Sequence, residues 1–163
     1  MKRRAPIWLY RLVLNFWPCI RATGGRVTYL APDFTRLKVR LKLTWRTRNI
    51  VGTIYGGSLY ASTDPFYMLM LMEILGDDYI VWDKGCTIRF KKPAKETLFA
   101  EFHITPAMLA DVRAKVAAQE YANFTWTVQF KSASGDVFTE FDKVLYVCTK
   151  ESYKKRLQQK ATQ

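Results

Sequence analysis

The stretch Asn49-Ile-Val-Gly52-Thr-Ile-Tyr55-Gly56-Gly57-Ser58-Leu-Tyr60-Ala61-Ser62-Thr63-Asp64-Pro65 decides how the rest of the chain is read. It continues as Phe66-Tyr-Met-Leu-Met-Leu-Met72-Glu73-Ile-Leu75 and is stopped by Gly76-Asp77-Asp78. The ten residues from Phe66 to Leu75 are apolar apart from Glu73, a pattern that predicts a buried helix rather than a surface one. The adjacent Gly56 and Gly57 precede it and allow a ligand or another backbone to approach closely. Asp64 is the only acid between Asp33 and Glu73. A glycine-rich entry, a lone carboxylate and a central apolar helix together suggest a site that handles a carbonyl group.

Local signals leave Asp64 with two readings. Asp-Pro is a common N-cap and first-turn pair, so Asp64 could simply cap a helix over 66–75. If the helix instead begins near Gly57, Pro65 lies inside it and kinks it, because the bond to the Ala61 carbonyl is lost. In a continuous helix Asp64 lies about 10 Å beyond Gly57. Both groups of one protomer then cannot touch one carbonyl. Two antiparallel helices from different protomers could bring them together, which predicts a composite site at a dimer interface.

Further along, Cys86-Thr-Ile-Arg-Phe90-Lys-Lys-Pro93-Ala94 reads as a strand. The order Asn49-x-x-Gly52-x-x-Tyr55-Gly56-Gly57, an acid nine residues after Tyr55, and then Phe90-x-x-Pro93-Ala94, resembles the hot-dog fold acyl-CoA thioesterases, in particular their phenylacetyl-CoA thioesterase-like branch. The resemblance covers residues 22–149. It implies an α+β fold, an antiparallel sheet wrapped around a long central helix. It also implies a homo-oligomer, a dimer or a dimer of dimers, that acts on an acyl-CoA or related thioester.

In that family the acid, here Asp64, serves as general base or nucleophile, and a backbone N–H beside the glycine pair, here at Gly57, polarises the thioester carbonyl. Asn49, Tyr55, Gly56 and Ser58 would surround the substrate. The family often has His where this chain has Tyr55, which bears on rate and substrate but leaves the backbone donor in place. Neither metal nor organic cofactor is implied, CoA being part of the substrate. The alternative on the same fold is a non-catalytic acyl-CoA-sensing or polyanion-binding protein.

Composition bounds the rest. With 163 residues, 49% of them hydrophobic and 15% aromatic, the chain suits one domain with a sizeable core. It divides into an N-terminal helix over 1–20, a core over 22–149 and a basic tail over 150–163. The net charge of +12 favours an anionic partner such as CoA phosphates, nucleic acid or anionic lipid. Arg89, Lys91 and Lys92, beside Phe90 and Pro93, are candidate donors to nucleotide phosphates. Cys19, Cys86 and Cys148 give neither a disulfide framework nor a zinc spacing, a pattern that fits a reducing cytoplasm. His103 is the only histidine, which excludes a multi-histidine metal site.

Lys2-Arg3-Arg4 followed by an apolar run broken by Arg11 and Asn15 fits no signal peptide and is too short to span a bilayer. Trp8, Leu12 and Phe16 fall at helical spacing, which predicts an amphipathic helix ending at Pro18. That helix either packs on its own domain or docks on an anionic membrane surface. Leu37, Val39, Leu41, Leu43 and Trp45 alternate with Lys38, Arg40, Lys42, Thr44 and Arg46, a half-buried strand with one basic, solvated face. That face carries no aromatic for base stacking, which argues against nucleic acid.

The expected strands are completed by 79–90, 97–105 and a hairpin over 121–132 and 137–149, about five in all. A helix capped by Thr105 runs to Ala118 with an Asp111–Lys115 pair on its surface. The tail from Lys150 reads as frayed.

Overall fold

The structure, a computed structural model, describes residues 5–161, with side chains as far as 159. The Lys2–Arg4 triplet lies outside the described residues. Six antiparallel strands form one sheet in the order β1-β2-β4-β5-β6-β3. They are β1 (Gly25–Leu30), β2 (Arg36–Leu41), β3 (Tyr79–Phe90), β4 (Leu98–His103), β5 (Tyr121–Lys131) and β6 (Val137–Thr149). The helices are α1 (Ile7–Phe16), α2 (Pro18–Ala22), α3 (Gly56–Ala61), α4 (Phe66–Leu75), α5 (Pro106–Ala118) and α6 (Lys150–Ala161).

Helix α4 occupies the expected residues and packs on the sheet's inner face. Phe66, Tyr67, Met70, Leu71 and Leu75 are buried, falling on one side at helical spacing. The Tyr67 ring meets Phe102 of β4 edge-on at 4.9 Å and Trp126 of β5 at 5.2 Å, and its hydroxyl donates to the Thr127 carbonyl. The opposite side of α4 is not covered within one chain, contrary to the expectation of burial all round. Met72 is exposed there, and Met68, Leu69 and Ile74 are only half buried.

Strand β2 buries Leu37, Val39 and Leu41 and turns its basic face outward, where Arg36 and Lys38 pair with Glu101 of the neighbouring β4. It stops at Leu41, short of the expected Trp45, which is exposed. The cause is Thr47, whose buried hydroxyl donates to the Lys42 carbonyl and accepts from the Thr44 N–H, turning the chain back. The sixth strand, β1, was not expected. It is an edge strand in which the side-chain amide of Asn15 accepts from the Val27 N–H (2.8 Å) and donates to the Val27 carbonyl (2.9 Å).

Helix α1 ends at Phe16 because Trp17, preceding a proline, takes an extended backbone, and Pro18 then opens α2. Ile7, Tyr10 and Leu14 of α1 pack on the core, whereas Trp8, Leu12, Val13 and Phe16 are exposed. Thr105 caps α5 through the Met108 N–H, and Lys115 pairs with Asp111 at 2.9 Å. The tail is helical rather than frayed. The Thr149 hydroxyl accepts from the Ser152 N–H, and Arg156 lies over the Tyr121 ring while donating to the Tyr146 hydroxyl.

Candidate functional site

The chain between Gly56 and Leu75 is neither one kinked helix nor a helix capped by Asp64. Helix α3 ends at Ala61, residues 62–65 turn, and α4 starts at Phe66 with Pro65 at its N-cap position and no side-chain cap. Pro65 has no N–H to continue the ladder. The Ser62 and Thr63 hydroxyls donate to the Leu59 and Tyr60 carbonyls, holding the break together. Strand β1 crosses close by: a Cβ on Gly25 would stand 2.6 Å from the Ser62 Cβ. With the helix interrupted, the straight 10 Å separation expected for Gly57 and Asp64 no longer applies.

Asp64 is instead turned toward β6. Its Oδ1 accepts a 2.9 Å hydrogen bond from the ammonium of Lys143. The Lys143 side chain is 1% exposed and that of Asp64 is 46% exposed, so one partner is inside and the other opens to solvent. A second carboxylate, Asp83 of β3, stands 3.5 Å from the same ammonium, an ion pair in which Asp83 Oδ1 is buried without a hydrogen bond. The Tyr60 ring covers the ammonium, 5.2 Å from its centroid.

A bulge assembles this group. In β3, Asp83 lies opposite Leu145, Gly85 opposite Val144 and Cys86 opposite Lys143, so Lys84 is the extra residue. The shift in phase turns both Asp83 and Cys86 toward Lys143. Burial pushes Asp83 up to about 6, with the Asp64 charge adding to the rise and Lys143 opposing it. Burial also pushes the Tyr60 phenol up to about 12, helped by its hydrogen bond to Asp64. The Cys86 thiol is raised, again chiefly by burial.

Asp64 lies in the wall of a cleft of about 550 Å³ between α1–α2 and the α3–α4 break. Val13, Leu14, Trp17, Ile20 and Leu69 supply its apolar lining, and Asp64 is the one acid among its lining residues. Gly56 lines a different cleft, of about 440 Å³, together with Asn49, Phe90, Lys91 and Lys92. Gly57 follows in the first turn of α3, where backbone N–H groups lack intrahelical partners. The Tyr55 ring packs on Gly57 so closely that a Cβ there would stand 2.2 Å from it, although Tyr55 itself is exposed.

The other candidate residues divide by placement. Asn49 closes its own loop, accepting from the Val51 and Thr53 N–H groups and donating to the Thr53 hydroxyl. Ser58 lies in α3, its carbonyl accepting from the Ser62 N–H. Lys91 and Lys92 pair with Glu140 and Asp136, both at the surface. Arg89 is on the outer face of β3, bound to Glu140 and Asp142, away from the Gly56 cleft. His103 is exposed at the end of β4.

Lys143, Asp83 and Tyr60 were not singled out from sequence. Lys143 had a signal: it occupies the inward phase of Phe141, Leu145 and Val147 in β6. The bulge at Lys84 that turns Asp83 and Cys86 to one side had none.

A family model described as a domain of unknown function (DUF4442) matches residues 8–147. No curated protein matches the chain. Among solved structures, the chain is similar to a Pseudomonas aeruginosa protein of unknown function described as a probable thioesterase, with a TM-score of 0.77, 19% identity and coverage of 89% of this chain and 97% of that one. It is also similar to a Haemophilus influenzae thioesterase, with a TM-score of 0.65, 11% identity and coverage of 91% and 94%. A mutant thioesterase from Pseudomonas aeruginosa gives a TM-score of 0.64 at 11% identity, covering 90% and 97%. The fold is therefore the hot-dog fold.

Asp83 carries a testable cost. Its folded value of about 6 lies above the ordinary 3.8, so the folded state holds this proton more tightly than the unfolded chain. That contribution to stability is complete below about pH 4 and is lost as pH rises through about 6. Carrying the charge at pH 8 then costs the fold about 3 kcal/mol. Asp83→Asn is expected to be more stable than the wild type at pH 8, with no advantage at pH 3.5. Denaturant melts at the two pH values check this.

Proposed function

We propose that this chain, which belongs to the DUF4442 family, hydrolyses an acyl-CoA or related thioester in a homo-oligomer. The observation that carries this reading is Asp64, a solvent-reachable carboxylate anchored by a buried ammonium in the wall of an apolar cleft. An acyl chain in that cleft would bring its carbonyl to Asp64. As general base, Asp64 takes a proton from water while the water oxygen bonds to the carbonyl carbon. The tetrahedral intermediate collapses with loss of the C–S bond, and the departing thiolate takes up the proton. As nucleophile, Asp64 would instead bond to the carbonyl carbon and expel the thiolate, leaving a mixed anhydride; water then hydrolyses it to the free acid and Asp64, and its proton goes to the thiolate.

The Gly57 N–H is the proposed oxyanion donor, a type worth about 3 to 4 kcal/mol where tested. The cleft beside it suits the nucleotide end of CoA. Lys91 and Lys92 make exposed ion pairs there, each worth about 1 kcal/mol or less, which phosphates can replace. Arg89 is left out of this role by its two carboxylate partners on the outer face.

Two features support a composite site between protomers. Gly56 and Asp64 line different clefts of one chain. In addition, β3 is a twelve-residue edge strand with exposed Trp82 and Phe90, next to the uncovered Met72 side of α4. Pairing β3 with a second copy would satisfy that edge.

Helix α1 supports peripheral membrane contact. Trp8, Leu12 and Phe16 form an exposed apolar face on a protein of net charge +12, and among the described residues no helix is long and apolar enough to cross a membrane. A cytoplasmic site of action goes with this reading.

Three outcomes are expected. Asp64→Asn keeps the fold and lowers hydrolysis of an acyl-CoA panel at least about 100-fold; unchanged turnover removes Asp64 from the mechanism. A panel on which even the wild type is inert, despite CoA binding, leaves the non-catalytic acyl-CoA-binding alternative.

Co-refolding Gly57→Val with Asp64→Ala restores about a quarter of wild-type activity, because half the dimers are mixed and each has one intact site. No recovery from confirmed mixed dimers places the whole site in one chain.

In sedimentation assays the protein follows phosphatidylglycerol vesicles but not phosphatidylcholine vesicles, and Trp8→Gln with Phe16→Gln abolishes it. Indifference to phosphatidylglycerol overturns the membrane contact.

A further inference from the structure

A lysine with 1% of its side chain exposed, facing two carboxylates, is not what a stable core requires. Replacing such ionic groups by apolar residues of similar volume is often neutral or stabilising. The arrangement here is also unequal. Asp64 takes a 2.9 Å hydrogen bond from the ammonium, while Asp83 takes only a 3.5 Å ion pair and keeps a buried oxygen without a hydrogen bond. One ammonium therefore serves two acids, and each acid can gain only at the other's expense.

We infer that Lys143 is a positioning residue for Asp64, and that Asp83, competing for the same ammonium, sets how firmly Asp64 is held. The inference rests on Asp64 being the reactive carboxylate. Lys143 binds Oδ1, which anchors that oxygen of the carboxylate and leaves Oδ2 outside the ion pair for water or for the thioester carbon. When Asp83 is neutral, the ammonium belongs to Asp64 alone and withdraws charge from it. When Asp83 is ionised, the ammonium is shared and neutralises less of the Asp64 charge, which stays available to water or to the thioester carbon.

The groups facing this centre come from four elements. Lys143 comes from β6, Asp83 and Cys86 from β3, Tyr60 from α3 and Asp64 from the α3–α4 turn. Tyr60 and Cys86 are both raised and stay neutral in the acid-to-neutral range, whereas Asp83, pushed up to about 6, changes charge within it. The direction follows: turnover rises as Asp83 ionises. The stability cost of that charge is consistent with a group kept for function.

The test uses the full chain and two readouts. In nuclear magnetic resonance titrations from pH 4 to 9, the Lys143 Nζ and Asp64 carboxyl signals are expected to move together through the range in which Asp83 titrates. Asp83→Asn removes that shared step. In steady-state hydrolysis of an acyl-CoA, wild-type kcat rises several-fold between pH 5 and 7, and Asp83→Asn abolishes the rise with KM unchanged.

Lys143→Gln lowers kcat at least about ten-fold with little change in KM, and Lys143→Arg recovers part of it. Since Lys143→Gln leaves two acids facing each other and can fail to fold, Asp83→Asn carries the decision. A Lys143 signal indifferent to Asp83, or an Asp83→Asn pH profile superimposable on the wild type, overturns the inference while leaving hydrolysis at Asp64 intact. If no thioester is turned over, the titration still decides the Lys143–Asp83 coupling, and the hydrolase reading fails separately.

Discussion

An ammonium removed from water has to be met by charge and hydrogen bonds inside the protein. Lys143 makes that demand at an inward position of β6, the strand at the middle of the hairpin contacts. Three local features surround it. The chain breaks between α3 and α4, which turns Asp64 toward the sheet; β3 takes an extra residue at Lys84, which puts Cys86 on the same face as Asp83; and the Tyr60 ring closes over the charge. The irregularities of the site thus gather around one buried charge.

The surroundings of Asp64 and of the glycine pair differ in kind. Trp17, Ile20 and Leu69 make the first an apolar recess closed by the N-terminal helices, and Lys91 and Lys92 make the second a basic one at the end of β3. A thioester joining a hydrocarbon to a nucleotide has the same division within one molecule. Helices α1 and α2 are therefore part of the functional reading, because they build the wall opposite Asp64.

Much of this fold was legible because burial writes period into sequence. The α4 segment, the β5–β6 hairpin and the Thr105-capped α5 have the expected places. Elements that depend on distant partners were not legible. The end of β2 depends on the Thr47 hydroxyl, the order of the tail on the Tyr121 and Tyr146 rings, and β1 on Asn15. At the site, Gly56, Gly57 and Asp64 are conspicuous in one dimension. Lys143 lies 79 residues from Asp64, and only the pairing of β3 with β6 reveals what it does.

The amide of Asn15 has a consequence for assembly. By exchanging both hydrogen bonds with Val27, it imitates a neighbouring strand and occupies part of the β1 margin of the sheet. The two margins of the molecule are then unlike, one plugged from within by α1 and the other, β3, open. If two copies join through β3, the sheet they share has a plugged margin at each end. Strand-to-strand addition would then stop at two copies. Asn15 would thereby limit growth along the sheet, and its loss would give that margin a route to further pairing.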